Sequence, residues 1–210
     1  AMMPEENKVQ WVYSSRNNQE LEERYDQWAS GYEADLTRDF DYLGPPRAAE
    51  VLSRHVPKDA RILDAGAGTG LVGQVLAGLG YGNLTAVDLS QGMLEESRGK
   101  NVYRELHQMV MGEPLDFPSG AFDAAISVGV LTVGHAPANS LDELVRVTKQ
   151  GGHIVFTLRP DVYETGGFKE KHAALEAEGK WRHVETTEQF QTLPKGEPDV
   201  YHQVWVYRVS

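Results

Sequence analysis

The pattern of apolar and polar residues from position 61 onward predicts strands that alternate with helices. Apolar runs of strand length stand at residues 61–65, 84–88, 106–111, 122–128 and 153–158. Between them, apolar residues recur at three- and four-residue steps, the spacing of one helical face, over residues 70–79, 91–98 and 138–148. Gly151 and Gly152 are expected to end the last of these helices. Strands that alternate with helices predict a parallel sheet covered on both faces.

The two ends of the chain add further elements. Residues 169–178 predict another helix, and residues 184–192 and 201–209 alternate in the manner of two strands joined by a turn that contains proline and glycine. Toward the N-terminus, residues 19–32 have helical spacing, and Pro45 opens a second helix.

Together these elements predict one doubly wound, Rossmann-like α/β domain. Its sheet is expected to have seven strands, five of them parallel and the last two forming an antiparallel C-terminal hairpin. An N-terminal segment and helical lid are expected over residues 1–43, and the domain itself over residues 44–210. A chain of 210 residues is long enough to bury a sizeable core in such a domain.

A glycine-rich turn follows the first predicted strand. In residues 62–70, Ile-Leu-Asp-Ala-Gly-Ala-Gly-Thr-Gly, glycines occupy every second position after Asp64 and Ala65. Such a turn lets a ligand approach bare backbone and the positive end of the following helix. The second predicted strand ends in Asp88, where a carboxylate can hold a ribose diol through two hydrogen bonds. These features predict a nucleotide-type cofactor site.

The glycine spacing separates this site from the dinucleotide fingerprint, which requires its last glycine where this chain has Leu71. The motif Asp-x-Gly-x-Gly-x-Gly, with an acid ending the second strand, resembles the class I S-adenosylmethionine-dependent methyltransferases. Downstream stretches are similar to the methyltransferase-like proteins of the Williams–Beuren syndrome chromosome region. These stretches are Gly112–Leu115, Phe122–Ala124, Val128–Leu131, Leu144–Lys149 and Gly151-Gly152.

The resemblance implies S-adenosylmethionine as the cofactor and assigns its contacts by position. Gly66 and Gly68 let the backbone approach the methionine and ribose portions. Asp88 takes the ribose hydroxyls. Val128 offers backbone near the methionine ammonium, which Asp64 orients through a water or the loop backbone.

The adenine end of the site leaves alternatives open. Leu89 and Met93 are expected to sandwich the adenine ring, although a methionine at this position is also a common packing residue. Relatives of this class carry Asp or Asn where this chain has Met111. Either the backbone of Met111 and Gly112 recognises the adenine edge, or Glu113 accepts its hydrogen bond.

One face of the N-terminal helix is aromatic, with Tyr25, Trp28 and Tyr32 at three- and four-residue steps. Trp28 is expected to pack on the domain. The stretch Tyr-Asp-x-Trp-Ala-x-x-Tyr resembles the N-terminal lid of the family, so Tyr25 and Tyr32 are interpreted as a cap over the cofactor, with simple packing as the alternative. Aromatic faces suit a cationic sulfonium. Residues 1–18 are either disordered or folded over the site.

Residues for the methyl acceptor are expected where the fourth and fifth strands end, because the carboxyl ends of parallel strands face the ligand crevice. His135 is the candidate general base, with a loop or capping role as the alternative. Arg159 either holds a substrate carboxylate bidentately or is a solvated charge at a strand end. Tyr32 and Tyr42 complete the candidates for the acceptor chamber.

Composition argues against several other classes. With 20 Lys and Arg against 31 Asp and Glu, the net charge of −11 repels phosphate backbones, so no nucleic-acid partner is expected. The absence of cysteine excludes disulfides and zinc-thiolate sites, and the seven histidines lack metal-site spacing, so no metal is expected. No apolar stretch approaches the roughly 20 residues of a membrane span, and the N-terminus, with Ala1 interpreted as a remnant of tag removal, carries no signal pattern. We expect a soluble cytoplasmic protein, monomeric or weakly dimeric, with no membrane partner.

The function that follows is methyl transfer from S-adenosylmethionine to an oxygen, nitrogen or sulfur atom of a small molecule, with S-adenosylhomocysteine as the product. Because the sulfonium is already activated, alignment of the acceptor supplies most of the catalysis, and a base matters only where the acceptor must lose a proton. Two alternatives remain: a non-catalytic protein that binds the cofactor and serves a partner, and an NAD-dependent oxidoreductase, which the glycine spacing disfavours.

Overall fold

A computed structural model describes residues 8–31 and 42–210, and helices and strands alternate through most of this part of the chain. Its helices are α1 (Lys8–Tyr13), α2 (Asn18–Trp28), α3 (Gly44–Ser53), α4 (Leu71–Gly78), α5 (Gln91–Gly99), α6 (Ser140–Val147), α7 (Pro160–Thr165) and α8 (Phe168–Ala177). Its strands are β1 (Ile62–Ala65), β2 (Leu84–Asp88), β3 (Glu105–Gln108), β4 (Phe122–Ser127), β5 (Thr148–Leu158), β6 (Trp181–Thr186), β7 (Phe190–Gln191) and β8 (Tyr201–Val209). A short 3-10 turn, Ala29–Gly31, follows α2.

The strands form one sheet in the order β3-β2-β1-β4-β5-β8-β6, with β7 paired to β8. Strands β1 to β5 are parallel, and β8 runs antiparallel to β5, β6 and β7. The Rossmann-like, mostly parallel sheet with antiparallel C-terminal strands is therefore confirmed. Strand β1 pairs with both β2 and β4, so the order of connection reverses here, and ligands bind at such a point in open α/β sheets.

Both faces of the sheet are buried because side chains alternate along each central strand. In β1, Ile62 belongs to a core cluster with residues of α3 and α4, and Leu63 belongs to a second cluster with residues of α6 and α8. Both side chains are fully buried. The apolar run that predicted this strand is thus explained by two layers of helices, one on each face.

Gly151 and Gly152 do not end α6, contrary to the expectation from sequence. The helix ends at Val147 because Thr148 takes an extended backbone, and β5 continues from there through both glycines. A Cβ atom on Gly152 would lie 2.4 Å from the carbonyl oxygen of Asp123. Glycine is therefore needed here because the backbone of β4 approaches closely, where the pairing register between β4 and β5 shifts.

The predicted strand over residues 184–192 is divided in two. It starts earlier, at Trp181, and stops at Thr186 before β7 resumes the pairing with β8. At the break, the hydroxyl of Thr187 accepts a hydrogen bond from the Val204 amide at 2.9 Å, and the Thr187 amide donates to the Val204 carbonyl at 2.9 Å. The hairpin partner β8 matches the predicted 201–209. Helix α7, which begins with Pro160, was not predicted.

The N-terminal helices pack on the domain through a small apolar cluster. It contains Val12, Leu21, Trp28 and Leu193, all buried, so the packing role expected for Trp28 is confirmed. Asn17 caps α2 by accepting a hydrogen bond from the Glu20 amide at 2.8 Å, as expected for a residue at a helix start. Tyr32, the second tyrosine of the expected lid, lies outside the described residues.

Candidate active site

A cleft opens at the carboxyl ends of β1, β2 and β4, beside α2. It is lined by Tyr25, Gly66, Gly68, Asp88, Leu89, Met109, Val110, Met111, Val128, Gly129, Val130 and His135. The cleft therefore brings together residues that the sequence places in the glycine turn, at the end of the second strand, and in the loops after the third and fourth strands.

The glycine turn requires glycine for two separate reasons. Gly66, Gly68 and Gly70 have φ values of 78°, 58° and 93°, a region that residues with a Cβ atom seldom adopt. A Cβ atom on Gly66 would also lie 2.3 Å from Cγ2 of Val130. The turn is thus held against the loop after β4, with its backbone open to the cleft.

Asp88 occupies the position expected for a ribose-binding acid. Its Oδ2 accepts a hydrogen bond from the Gly68 amide at 2.9 Å, and its Oδ1 accepts one from the Ser90 amide at 3.0 Å. Burial raises the pKa of this carboxyl to about 6, against the lowering effect of these backbone hydrogen bonds. The acid is therefore fixed in orientation, and a partner that donates to its oxygens favours its ionised form.

Asp64 lies beneath the glycine turn and does not line the cleft. Its side chain is 1% exposed, and its Oδ2 accepts a hydrogen bond from the Tyr103 hydroxyl at 2.5 Å. The same hydroxyl accepts from the Gly73 amide at 3.1 Å. Burial raises the pKa of Asp64 to about 7, and its Oδ1 has no hydrogen-bond partner among the described residues. Tyr103 precedes β3 in the sequence, and no local pattern marks it as part of the site.

At the adenine end of the cleft, the structure separates the sequence candidates. Leu89 and Met111 line the cleft, whereas Met93 is fully buried in the protein interior. The carbonyl of Gly112 accepts a hydrogen bond from Asn139 at 3.2 Å, and the side chain of Glu113 is exposed away from the lining. Of the residues named in the two alternatives left open by the sequence, Met111 lines the cleft, whereas Gly112 and Glu113 are outside its lining.

His135 lines the cleft between two tyrosines. Its ring centroid lies 5.7 Å from that of Tyr13 and 5.6 Å from that of Tyr25, with tilted rings. The Tyr13 hydroxyl donates to the Gly129 carbonyl at 3.2 Å, which ties α1 to the loop after β4. Burial lowers the pKa of His135 to about 4, so the imidazole is neutral at pH 7. A neutral ring does not repel a cationic ligand.

Arg159 and Tyr42, the other acceptor candidates within the described residues, lie outside the cleft lining. The guanidinium of Arg159 forms two hydrogen bonds with the Asp161 carboxylate, at 3.0 and 2.8 Å. The hydroxyl of Tyr42 lies 2.7 Å from the position that a Cβ atom of Gly129 would occupy, so Tyr42 packs directly behind the cleft wall.

Four residues of the cleft lining are not among the site residues predicted from the sequence: Met109, Val110, Gly129 and Val130. They differ in whether the sequence contains a local pattern that could have identified them. Met109 and Val110 were assigned to the third strand, which in fact ends at Gln108. Gly129 has a φ of 69°, and its amide donates to the Thr157 hydroxyl at 2.8 Å. A glycine two residues after a strand end is a local signal for a ligand loop, but the contact of Val130 with the glycine turn is not visible in the sequence.

Residues 8–31 and 42–210 contain no group of three or more His, Cys, Asp or Glu side chains that can hold a metal ion. Within the same part of the chain, no helix has both the length and the apolar character that crossing a bilayer requires.

The fold is that of solved S-adenosylmethionine-dependent methyltransferases. One of them, a possible histamine N-methyltransferase from Thermotoga maritima, superposes with a TM-score of 0.64 at 16% identity, covering 89% of this chain and 98% of that one. Residues 63–156 match the family described as a methyltransferase domain. The chain therefore has the class I methyltransferase fold, and its residues 63–156 match a methyltransferase domain, a combination that implies S-adenosylmethionine as the cofactor.

Among curated proteins, the chain is similar to Methyltransferase-like protein 27 of Homo sapiens, with 40% identity over 139 residues, which are 64% of this chain and 56% of that protein. A demethylmenaquinone methyltransferase of Clavibacter sepedonicus is 42% identical over 98 residues, covering 45% and 39%. An 18S rRNA (guanine-N(7))-methyltransferase of Bos taurus is 31% identical over 126 residues, covering 55% and 44%. The chain thus spans about half the length of these relatives, or less. The first of these similarities supports the resemblance to methyltransferase-like proteins.

Proposed function

We propose that this protein transfers a methyl group from S-adenosylmethionine to a small-molecule acceptor. The observation that carries the proposal is a cleft in which the Asp88 carboxylate accepts a hydrogen bond from the Gly68 amide of the glycine turn. The aromatic rings of Tyr25 and His135 form part of the wall of the same cleft. An acid for a diol, bare backbone for the rest of the ligand, and aromatic faces for a cationic centre are what this cofactor requires.

The residues of the cleft fit the cofactor by their chemistry. Asp88 would accept hydrogen bonds from the ribose hydroxyls, and the turn at Gly66 and Gly68 would pack against the ligand without side chains in the way. Leu89 and Met111 offer apolar surface for the adenine ring. When bound, S-adenosylmethionine supplies an already activated methyl group, so the protein has mainly to exclude water and align the acceptor.

Asp64 is linked to the backbone that follows the glycine turn through the hydroxyl of Tyr103. Because Tyr103 bridges its carboxylate to the start of α4, a change at Asp64 is transmitted to the backbone that faces the ligand. We propose that the ammonium group of the methionine portion interacts with backbone near Val128. We also propose that Asp64 helps to orient this ammonium group through the backbone of the glycine turn.

The N-terminal helices are proposed to act as the lid. Tyr25 lines the cleft, and the Tyr13 hydroxyl donates a hydrogen bond to the loop after β4. Helices α1 and α2 therefore both lie at the opening of the cleft. Tyr32 is proposed to add to this cap. Tyr42 and Arg159 are proposed to border the acceptor chamber, and for Arg159 this requires exchange of its Asp161 contact for a substrate carboxylate.

A small acceptor is supported by the charge of the protein and of the site. The net charge is −11, and the residues named above as the cleft lining include Asp88 but neither Lys nor Arg. A surface of this kind does not attract a polyanion. The relatives include enzymes named for a quinone and for ribosomal RNA, so the acceptor screen must contain both classes.

Ligand-induced stabilisation tests the cofactor assignment. At about a hundred times its dissociation constant, S-adenosylhomocysteine is expected to raise the melting temperature by about 5–10 °C, because it binds only the folded protein. NAD at the same concentration is expected to leave the melting temperature unchanged. Stabilisation by NAD and not by S-adenosylhomocysteine, measured by differential scanning fluorimetry, would favour the oxidoreductase.

Substitution of His135 tests the transfer step. Turnover is to be followed by formation of S-adenosylhomocysteine from carboxylates, amines, phenols, thiols, quinols and an RNA oligonucleotide. With an active acceptor, His135→Ala is expected to lower kcat by about a hundredfold because the acceptor loses alignment, while the affinity for S-adenosylhomocysteine changes only a few-fold. Restoration of kcat by His135→Gln would assign the ring a positioning role. Cofactor binding with no turnover in any class would instead support a non-catalytic binding protein.

A further inference from the structure

Helix α2 is hydrogen-bonded to the start of α5, next to Asp88. The Oδ1 atom of Asp26 accepts hydrogen bonds from the Ser90 hydroxyl and, at 2.8 Å, from the Gly92 amide. Ser90 caps α5 by accepting from the Met93 amide at 3.1 Å, and its own amide donates to Asp88 at 3.0 Å. A single residue, Ser90, therefore stands between the acid on α2 and the acid that lines the cleft.

The two helices are also in close steric contact at this point. A Cβ atom on Gly92 would lie 3.0 Å from both Cα and Oδ1 of Asp26, and 3.3 Å from Cβ of Ala29. Glycine at position 92 thus allows α2 to approach α5 closely. A second set of hydrogen bonds connects α2 to the residue after β2. The side-chain amide of Gln108 donates to Glu22 at 2.7 Å and to the Leu89 carbonyl at 2.8 Å.

The residue before Asp26 is Tyr25, which lines the cleft and contacts His135. The docking of α2 on α5 therefore determines whether Tyr25 lies over the cleft. An acceptor at the start of a helix also satisfies backbone amides that have no partner within the helix, and a negative charge is favourable there.

On the basis of the proposed cofactor role of the cleft, we propose that Asp26 is a positioning residue for S-adenosylmethionine. It holds α2 on the start of α5, and thereby Tyr25 over the ligand. If the docked arrangement is the one that binds the ligand, then any change that lowers its population lowers the apparent affinity by the same factor. Docking of α2 and binding of the cofactor thus reinforce each other.

Calorimetric titration with S-adenosylhomocysteine tests this role in the full chain. Asp26→Ala is expected to weaken binding about fivefold, the effect of losing one helix-capping interaction. Glu23→Ala is the matched control, since Glu23 is an exposed acid on the same helix and accepts a hydrogen bond from Gln19 of that helix. Binding by this control is expected to equal that of the wild type. An equal loss in both variants would assign the effect to net charge and overturn the proposal.

A second pair of variants changes the contact without removing an acid. Gly92→Ala is expected to weaken binding about fivefold by pushing α2 away, while the preference of alanine for the helical state of α5 offsets the stability lost with that contact. Gly99→Ala, in the same helix and with open space where the Cβ atom would be added, is expected to leave binding unchanged. Lower affinity without lower stability is a result that a purely structural role does not produce.

The dependence on Tyr25 and on pH completes the test. In a Tyr25→Ala background, Asp26→Ala is expected to have little further effect, because Asp26 acts through that side chain. Asp26→Asn keeps the Oδ1 acceptor but removes a charge that helps to raise the pKa of Asp88, while Asp64 and Tyr103 still face Asp88. Its binding is expected to remain strong to lower pH than in the wild type. Wild-type affinity in both Asp26→Ala and Gly92→Ala would overturn the proposal, whereas failure of the wild type to bind would contradict the cofactor role itself.

Discussion

Replacement of Asp88 by alanine is expected to weaken the binding of S-adenosylhomocysteine by at least about a hundredfold, because two hydrogen bonds from the ribose to a carboxylate are lost. The substitution also leaves the amides of Gly68 and Ser90 without their acceptor. Isothermal titration calorimetry measures the loss. Asp88→Asn separates the two effects, since it keeps an acceptor oxygen and the shape of the side chain but removes the charge.

The same acid is expected to make binding dependent on pH. The pKa of Asp88 in the free protein is raised to about 6, and the ribose favours the ionised form. Affinity is therefore full above pH 7 and falls as the pH decreases through 6, by about tenfold at pH 5. In Asp88→Asn this dependence is expected to vanish, and any residual slope near pH 7 would belong to Asp64. Equal affinity of the wild type at pH 5 and pH 7.5 would show that the ribose lies elsewhere.

The second large effect is expected from Gly66→Ala. The added Cβ atom would meet Val130 at 2.3 Å, and the φ of 78° is unfavourable for any residue with a side chain. Because Gly66 and Val130 both line the cleft, relief of this contact moves the cleft walls. Binding of S-adenosylhomocysteine is expected to weaken by at least about a hundredfold, as measured by calorimetry at a temperature where the variant is folded.

Two further variants separate the clash from the backbone strain. Gly80 has a φ of 103°, and an added Cβ atom there would lie 3.8 Å from Cδ of Lys58, an ordinary van der Waals distance. Gly80→Ala is therefore expected to lower the melting temperature without changing affinity. The double variant Gly66→Ala with Val130→Ala is expected to recover part of the binding, since the clash is relieved and the strain remains. Full binding by Gly66→Ala alone would contradict the placement of the ligand against this turn.

The state of His135 bears on the chemistry that the cleft can support. A pKa lowered to about 4 makes the ring a weak base at pH 7, so it deprotonates an acceptor less effectively than an ordinary histidine. It can still accept or donate one hydrogen bond and so align the acceptor. This agrees with a reaction in which alignment contributes most of the rate, and it favours acceptors that are already nucleophilic at neutral pH.

Residue preferences that act between neighbours in the sequence made the order of strands and helices and part of the cleft lining predictable. The strand and helix order of residues 61–158, the glycine turn and the acid at Asp88 could be assigned because periodicity and turn preference depend on neighbours in sequence. The predictions failed where tertiary packing overrides those preferences. Gly152 was expected to end a helix, but it serves a close approach of β4, and the apolar run to Met111 continues past the strand into the cleft wall.

The sequence by itself determined that a glycine turn and an acid at the end of the second strand form a nucleotide-type site on a doubly wound sheet. Only the tertiary structure decided that Asp64 lies under Tyr103, that His135 stands between Tyr13 and Tyr25, and that Asp26 meets the start of α5. Each of these contacts joins residues that are far apart in the chain. Their energies depend on burial and on distances between side chains, which no local pattern of residues encodes.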